Sequence, residues 1–131
     1  MSYCLDAWTV MEWLDGGEPA TGRVTELLGK RPAPLMSWIN LGEVAYRLRR
    51  LLGPAQASFL VELLRGSFTL ELPTAELVLE AAGLKADRLL GFADAFAAAT
   101  ALVHGAVLLT GDPDLIDGDP PWQVEDLRLA A

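Results

Sequence analysis

The sequence predicts a three-layer α/β/α fold with a mostly parallel sheet of four or five strands. Short apolar segments at residues 2–5, 34–37 and 106–109 are separated by segments with helical patterns. Strands that alternate with helices in this way are typical of a parallel sheet covered on both faces. The 131 residues contain no repeat, linker or low-complexity segment, so we expect one domain spanning residues 1–131.

Each further element follows from a local pattern. Apolar residues at Leu41, Val44, Ala45 and Leu48 recur at the spacing of one buried helix face, and Gly53-Pro54 ends that helix. Residues 110–121 are rich in turn formers and predict a loop. The expected helices are residues 8–14, 19–28, 40–52, 55–64, 73–82 and 92–103, and the remaining strands are 67–72 and 123–127.

Composition limits the function classes. The single cysteine, Cys4, cannot form an internal disulfide and is expected to be a buried apolar residue. The sequence shows no signal peptide and no transmembrane segment, which predicts a cytoplasmic protein without membrane contact. A net charge of −8 argues against a general nucleic-acid coat. It does not exclude an enzyme in which a metal ion lies between acidic residues and a phosphodiester.

Four acids are expected to meet at one edge of the sheet. Asp6 ends the first strand, and Asp112 follows the fourth. Glu43 and Asp94 lie in the first turns of helices that begin near the carboxyl ends of the strands, where ligand sites of such folds lie. Each acid also has a simpler interpretation, as a helix cap for Asp6 and Asp112, a dipole partner for Asp94 and a solvated residue for Glu43.

The chemistry of this acid set points to a hard cation. Like charges that are brought together cost free energy unless a cation neutralises them. Oxygen ligands without cysteine or histidine suit Mg²⁺ or Mn²⁺. Such an ion polarises a phosphoryl oxygen and activates bound water, so the sequence predicts hydrolysis of a phosphodiester.

Four ordered segments carry a family resemblance. They are Tyr-Cys-Leu-Asp at residues 3–6, Ile-Asn-Leu-Gly-Glu-Val at 39–44, Ala-Asp-Ala-Phe-Ala-Ala-Ala-Thr-Ala at 93–101 and Leu-Leu-Thr-Gly-Asp-Pro-Asp-Leu at 108–115. In order and spacing they resemble the PIN-domain ribonucleases, and the length of the chain is most similar to VapC-type toxins of toxin–antitoxin systems. The resemblance implies an α/β/α fold, RNA as substrate, Mg²⁺ or Mn²⁺ as cofactor and a VapB-type antitoxin as partner. A homodimer is left open.

The resemblance also implies roles for individual residues. Metal binding and catalysis would fall to Asp6, Glu43, Asp94 and Asp112. Auxiliary roles would fall to Asn40, Thr110 and Asp114, with Thr110 supporting the site by hydrogen bonding. Two other functions remain open: a PIN nuclease of RNA processing, and a catalytically inactive α/β interaction module.

Further residues have two possible interpretations or an expected structural role. Arg47 and Arg50 share a helix side with Glu43 and either bind RNA phosphates or form a solvated ion-paired face. Trp8 stands where many PIN relatives have a small hydroxyl residue, and we expect it in the core rather than stacked on a base. His104 is expected to cap a helix end. The helix 8–14, with one charge, is expected to be covered by the core and by a partner.

Overall fold

The structure is a computed structural model that describes residues 1–128. Its strands are β1 (Tyr3–Leu5), β2 (Leu35–Ser37), β3 (Thr69–Glu71), β4 (Val107–Thr110) and β5 (Gln123–Asp126). Its helices are α1 (Ala7–Asp15), α2 (Ala20–Leu28), α3 (Trp38–Leu52), α4 (Pro54–Ser67), α5 (Ala75–Asp87), α6 (Phe92–His104) and α7 (Pro113–Ile116).

All strands belong to one parallel sheet in the order β3-β2-β1-β4-β5, which confirms the predicted α/β class. The central strand β1 pairs with β2 through Cys4 and Leu35, and with β4 through Cys4 and Leu108. Because these three strands are in register and run in one direction, their carboxyl ends lie side by side. This edge of the sheet receives Asp6 from β1 and Thr110 from β4.

Successive strand residues divide between two cores, as expected for a sheet covered on both faces. Leu5 and Leu109 pack with the buried residues of α1, α2, α3 and α4. Cys4 and Leu108 pack on the other face, against α5 and α6. Cys4 is fully buried, as predicted. The result is a three-layer α/β/α arrangement.

Helix α6 lies close against the sheet because its side chains are small. Every residue from 95 to 101 is buried, and five of these seven are alanine. The thiol of Cys4 lies 3.9 Å from the carbonyl oxygen of Ala97, so the helix backbone comes near the central strand. This close packing fixes where α6 begins, and therefore where Asp94 lies.

Two sequence predictions need correction. Residues 110–121 were expected as a loop, but they contain the single-turn helix α7, which is stabilised because Asp112 caps its start and Pro113 occupies its first position. Helix α5 continues to Asp87, five residues beyond the expected end, because Gly83 is tolerated inside it. No helix within residues 1–128 has the length and hydrophobicity needed to cross a bilayer.

Candidate active site

Asp6 is buried at the end of β1, and both of its carboxylate oxygens are engaged. Oδ1 accepts a hydrogen bond from the backbone N–H of Thr9 at 2.9 Å, so Asp6 is the N-cap of α1. Oδ2 accepts one from the hydroxyl of Thr110 at 2.5 Å. The helix-cap interpretation is therefore correct for one oxygen, while the other faces the end of β4.

Thr110 connects two of the acids through a single hydroxyl. The oxygen that donates to Asp6 also accepts a hydrogen bond from the backbone N–H of Asp112 at 3.0 Å. Asp112 in turn accepts from the backbone N–H of Asp114 at 2.9 Å and caps α7. Because Thr110 is fully buried, this chain of bonds holds the segment after β4 against the end of β1.

Asp94 carries the clearest electrostatic signature of the site. Its pKa is raised to about 7, first by desolvation and then by the negative charges of Asp112 and Asp6, with Glu43 adding the smallest of these effects. The pKa of Asp6 is raised to about 6, mainly by burial, and its hydrogen bonds to Thr110 and Thr9 oppose this rise. The four predicted acids therefore lie near enough to affect one another, although they come from four separate segments.

Glu43 lies at the margin of this group. Its carboxylate is 3.8 Å from a guanidinium nitrogen of Arg47, one turn further along α3. This pair is partly exposed, so its attraction is screened and contributes little to stability. Arg47 thus forms an ion pair in the structure, and its role in RNA binding stays a prediction.

Asn40 joins the first turn of α3 to the first turn of α6. Its side-chain Nδ2 donates to the carbonyl oxygen of Ala93 at 2.9 Å, directly before Asp94. The residue is fully buried, and its Oδ1 has no hydrogen-bond partner. A buried amide oxygen without a donor costs free energy, so this atom is set to accept a bond from a further group.

The donor chemistry of the site fits a hard divalent cation. Asp6, Asp94 and Asp112 interact electrostatically, and the buried Oδ1 of Asn40 is a further oxygen donor on α3, the helix that also carries Glu43. Within residues 1–128, however, no three His, Cys, Asp or Glu side chains form a ready-made metal-binding group. Both oxygens of Asp6 accept hydrogen bonds and Glu43 pairs with Arg47, so two of the four acids have other partners in the structure.

Comparison with known families identifies the fold. A model of the PIN domain matches residues 3–119 of the sequence. The chain belongs to the PIN-domain family. No curated protein matches it at a significant level.

Solved structures of VapC proteins and VapBC complexes are similar to this PIN domain. VapBC2 from Rickettsia felis, bound to a promoter DNA fragment, has a TM-score of 0.79 at 19% identity, covering 98% of this chain and 100% of that chain. VapBC-1 from Haemophilus influenzae has a TM-score of 0.74 at 26% identity, with coverage of 96% and 98%. VapC20 from Mycobacterium tuberculosis, described as a sarcin-ricin loop cleaving toxin, has a TM-score of 0.71 at 24% identity, with coverage of 88% and 93%.

Three further residues that the sequence singled out occupy separate positions in the PIN domain. Asp114 is exposed in α7. His104 is the last residue of α6, and its Nε2 lies 2.6 Å from the carboxylate of Glu71 rather than near the acids. Arg50 is exposed and lies over the ring of Tyr46.

Gly111, between Thr110 and Asp112, is a site residue that sequence reasoning missed. A Cβ at this position would lie 2.3 Å from two carbons of the Trp8 ring, so only glycine fits against that ring. Trp8 is half-buried and packs against the core of α1 to α4. Two features of the sequence indicate this contact. Trp8 is bulky where many PIN relatives have a small hydroxyl residue, and Gly111 directly follows β4.

Replacement of Asp94 by Asn should change how the metal-free PIN domain responds to pH. Because the folded-state pKa values of Asp94 and Asp6, about 7 and about 6, exceed the ordinary aspartate value of 3.8, the folded protein binds more protons than the unfolded chain. The free energy of unfolding should therefore fall as the pH rises from about 4 to about 7, and then level off. Asp94→Asn should reduce this fall and melt higher than wild type above pH 7.

Thermal unfolding in EDTA at several pH values measures this effect. The dipole of α6 opposes it by about 0.3–1 kcal/mol, because it favours a charged Asp94. Glu80→Gln, an exposed neutralisation on α5, is the control and should keep the wild-type slope. Parallel curves for wild type and Asp94→Asn would contradict the repulsion among the acids.

Replacement of Gly111 by Ala should destabilise the protein through Trp8. A clash of this kind in a packed region costs about 1–3 kcal/mol. In the double variant Trp8→Thr/Gly111→Ala the clash is absent, so the loss should be smaller than the sum of the two single losses. Urea unfolding of the four proteins measures the coupling. Gly66→Ala is the matched control, because a Cβ there meets nothing within 4 Å inside α4. Additive losses would show that Trp8 does not constrain position 111.

Proposed function

We propose that the chain is a single PIN domain that acts as a metal-dependent endoribonuclease, the toxin of a VapBC-type toxin–antitoxin pair. The observation that carries this proposal is the arrangement of Asp6 and Asp112 around the buried hydroxyl of Thr110, together with Asp94, whose pKa is raised first by desolvation and then by the charges of Asp112 and Asp6. Holding like charges together lowers stability, and proteins keep such an arrangement where a cation or a reaction uses it.

In this proposal Asp6, Asp94 and Asp112 hold Mg²⁺ or Mn²⁺, with Glu43 at the margin of the site. The bound ion supplies Lewis acidity toward a phosphate oxygen and lowers the pKa of water. Thr110 keeps Asp6 oriented through its hydroxyl and fixes the backbone of Asp112. Without a metal the pKa of Asp94 is about 7, and a cation bound beside it would lower this pKa and favour the ionised carboxylate.

The structural neighbours support the nuclease part of the proposal. VapC20 from Mycobacterium tuberculosis is described as cleaving the sarcin-ricin loop. For this chain, RNA is the substrate that the PIN resemblance implies. The absence of a cysteine or histidine among the clustered residues favours hydrolysis assisted by a metal over a covalent intermediate on the enzyme.

A groove between α1, α3 and α4 is the surface that we propose for a VapB-type antitoxin. Leucine and methionine side chains line it, together with two acids, Glu12 and Asp15, and one cation, Arg47. Leu51, which lines the groove, is 69% exposed. An antitoxin segment with apolar and basic residues would match this surface. The similarity to VapBC2 and VapBC-1, which are complexes, supports such a partner.

Asp94→Asn should abolish cleavage of RNA by the purified protein. Wild type incubated with total cellular RNA and Mg²⁺ or Mn²⁺ should produce discrete fragments, whose ends can be mapped by sequencing. EDTA should stop the reaction, because the nucleophile in this proposal is water that the metal activates. Glu80→Gln should retain wild-type activity and so control for loss of negative charge. Full activity of wild type in excess EDTA, or of Asp94→Asn with metal, would overturn the proposal.

Leu51→Asp should weaken antitoxin binding, because it places a charge in the apolar groove. The binding partner for this test is the product of a small reading frame adjacent to the gene, and affinity can be measured by calorimetry. The loss should be at least tenfold, which corresponds to about 1.4 kcal/mol. Leu79→Asp on α5 is the matched control, since Leu79 is 72% exposed and lies outside the groove. Equal affinities of the two variants would exclude the groove as the binding surface.

A further inference from the structure

The solvent-facing side of α3 carries a line of residues that begins at the acid cluster. Ile39, Glu43, Tyr46 and Arg50 recur at intervals of four, three and four residues, which places them on one face of the helix. We call these four residues the α3 stripe. Arg50 lies two turns, about 10.5 Å, along the helix axis from Glu43.

Tyr46 and Arg50 form an exposed stacked pair within this stripe. The guanidinium carbon of Arg50 lies 4.9 Å from the centroid of the Tyr46 ring. Tyr46 is 50% exposed, an unusual degree for a ring of its size. The pair therefore presents both an aromatic surface and a delocalised cation to solvent.

The guanidinium of Arg50 is free in a way that comparable groups are not. Three other arginines stack on aromatic rings, and each has a further bond: Arg23 to Glu125, Arg65 to Glu62, and Arg88 to Gly118. Within residues 1–128, Arg50 has no hydrogen bond and no carboxylate within 4.0 Å. Its donors are open to a ligand.

The chemistry of this pair matches a nucleotide. An exposed aromatic ring accepts a stacked base, and a free guanidinium donates to phosphate oxygens. Recognition of single-stranded RNA commonly combines these two contacts.

We propose that Tyr46 and Arg50 form a subsite that stacks one base of single-stranded RNA and binds its phosphate, two helical turns from the acid cluster. This inference rests on the proposed ribonuclease function and adds a substrate-binding contact to it. Arg50 also lies in the last turn of α3, where a cation interacts favourably with the helix dipole. The dipole interaction of Arg50 needs no aromatic neighbour. Variants of Tyr46 therefore distinguish RNA binding from a purely structural role of Arg50.

The test uses the full chain with Asp94→Asn, which prevents cleavage, and a short single-stranded RNA that carries 2-aminopurine. Affinity is measured by fluorescence anisotropy at several salt concentrations, and stacking is measured by quenching of 2-aminopurine. Tyr46→Ala should raise Kd roughly 5- to 100-fold and abolish the quenching, with the salt slope unchanged. Tyr46→Trp should preserve both affinity and quenching.

Arg50→Gln should reduce the slope of log affinity against log salt by about 0.7, the value for one phosphate contact on a single strand. Phe59→Ala is the matched aromatic control, because Phe59 is 70% exposed on α4 and does not belong to the α3 stripe, and it should bind as the parent does. Arg49→Gln controls for charge and should leave the quenching intact.

Two results would overturn the inference: parental binding and quenching by Tyr46→Ala, or an equal loss in Phe59→Ala. Neither would affect the proposed function, which depends on metal-dependent cleavage of RNA by wild type and is assayed separately. Conversely, a wild type that binds RNA through Tyr46 but never cleaves it would refute the nuclease proposal alone.

Discussion

Negative charges that lie together at the carboxyl edge of the sheet repel one another. The arrangement of the site in this PIN domain depends on the groups that offset this repulsion. The hydroxyl of Thr110 serves Asp6 and the backbone of Asp112 together, so one buried oxygen orders the ends of two strands. Arg47 offsets Glu43 at the margin. Within residues 1–128, Asp94 forms no ion pair, and its pKa is raised first by desolvation and then by the charges of Asp112 and Asp6.

The position of Asp94 depends on the packing of the helix that carries it. Alanines in α6 allow the helix to approach the sheet, and Asn40 bonds the backbone at Ala93 to the start of α3. Dispersion forces and burial of apolar surface hold α6 against the sheet, whereas charge dominates the energetics of the acid cluster. The stable part of the fold thus supports a part that is locally unfavourable, as expected where structure serves a ligand.

The sheet and the approximate positions of the acids were predictable, because apolar strands and the first turns of helices have strong local patterns. The four acids are close in space for the reason expected, namely that parallel strands end at one edge. What could not be predicted were contacts between distant segments. Three such contacts are the two hydrogen bonds of the Thr110 hydroxyl, the pairing of His104 with Glu71 and the packing of Trp8 against Gly111. They depend on atomic positions that sequence periodicity does not predict.

The contact between Trp8 and Gly111 also links two positions that are about one hundred residues apart in the chain. A homologue with tryptophan at position 8 requires glycine at position 111. A homologue with a small residue at position 8 accepts other residues at position 111. The two positions should consequently drift together among close homologues. Grafting either segment alone onto a relative would create a steric conflict beside the acids, even when each segment suits the fold by itself.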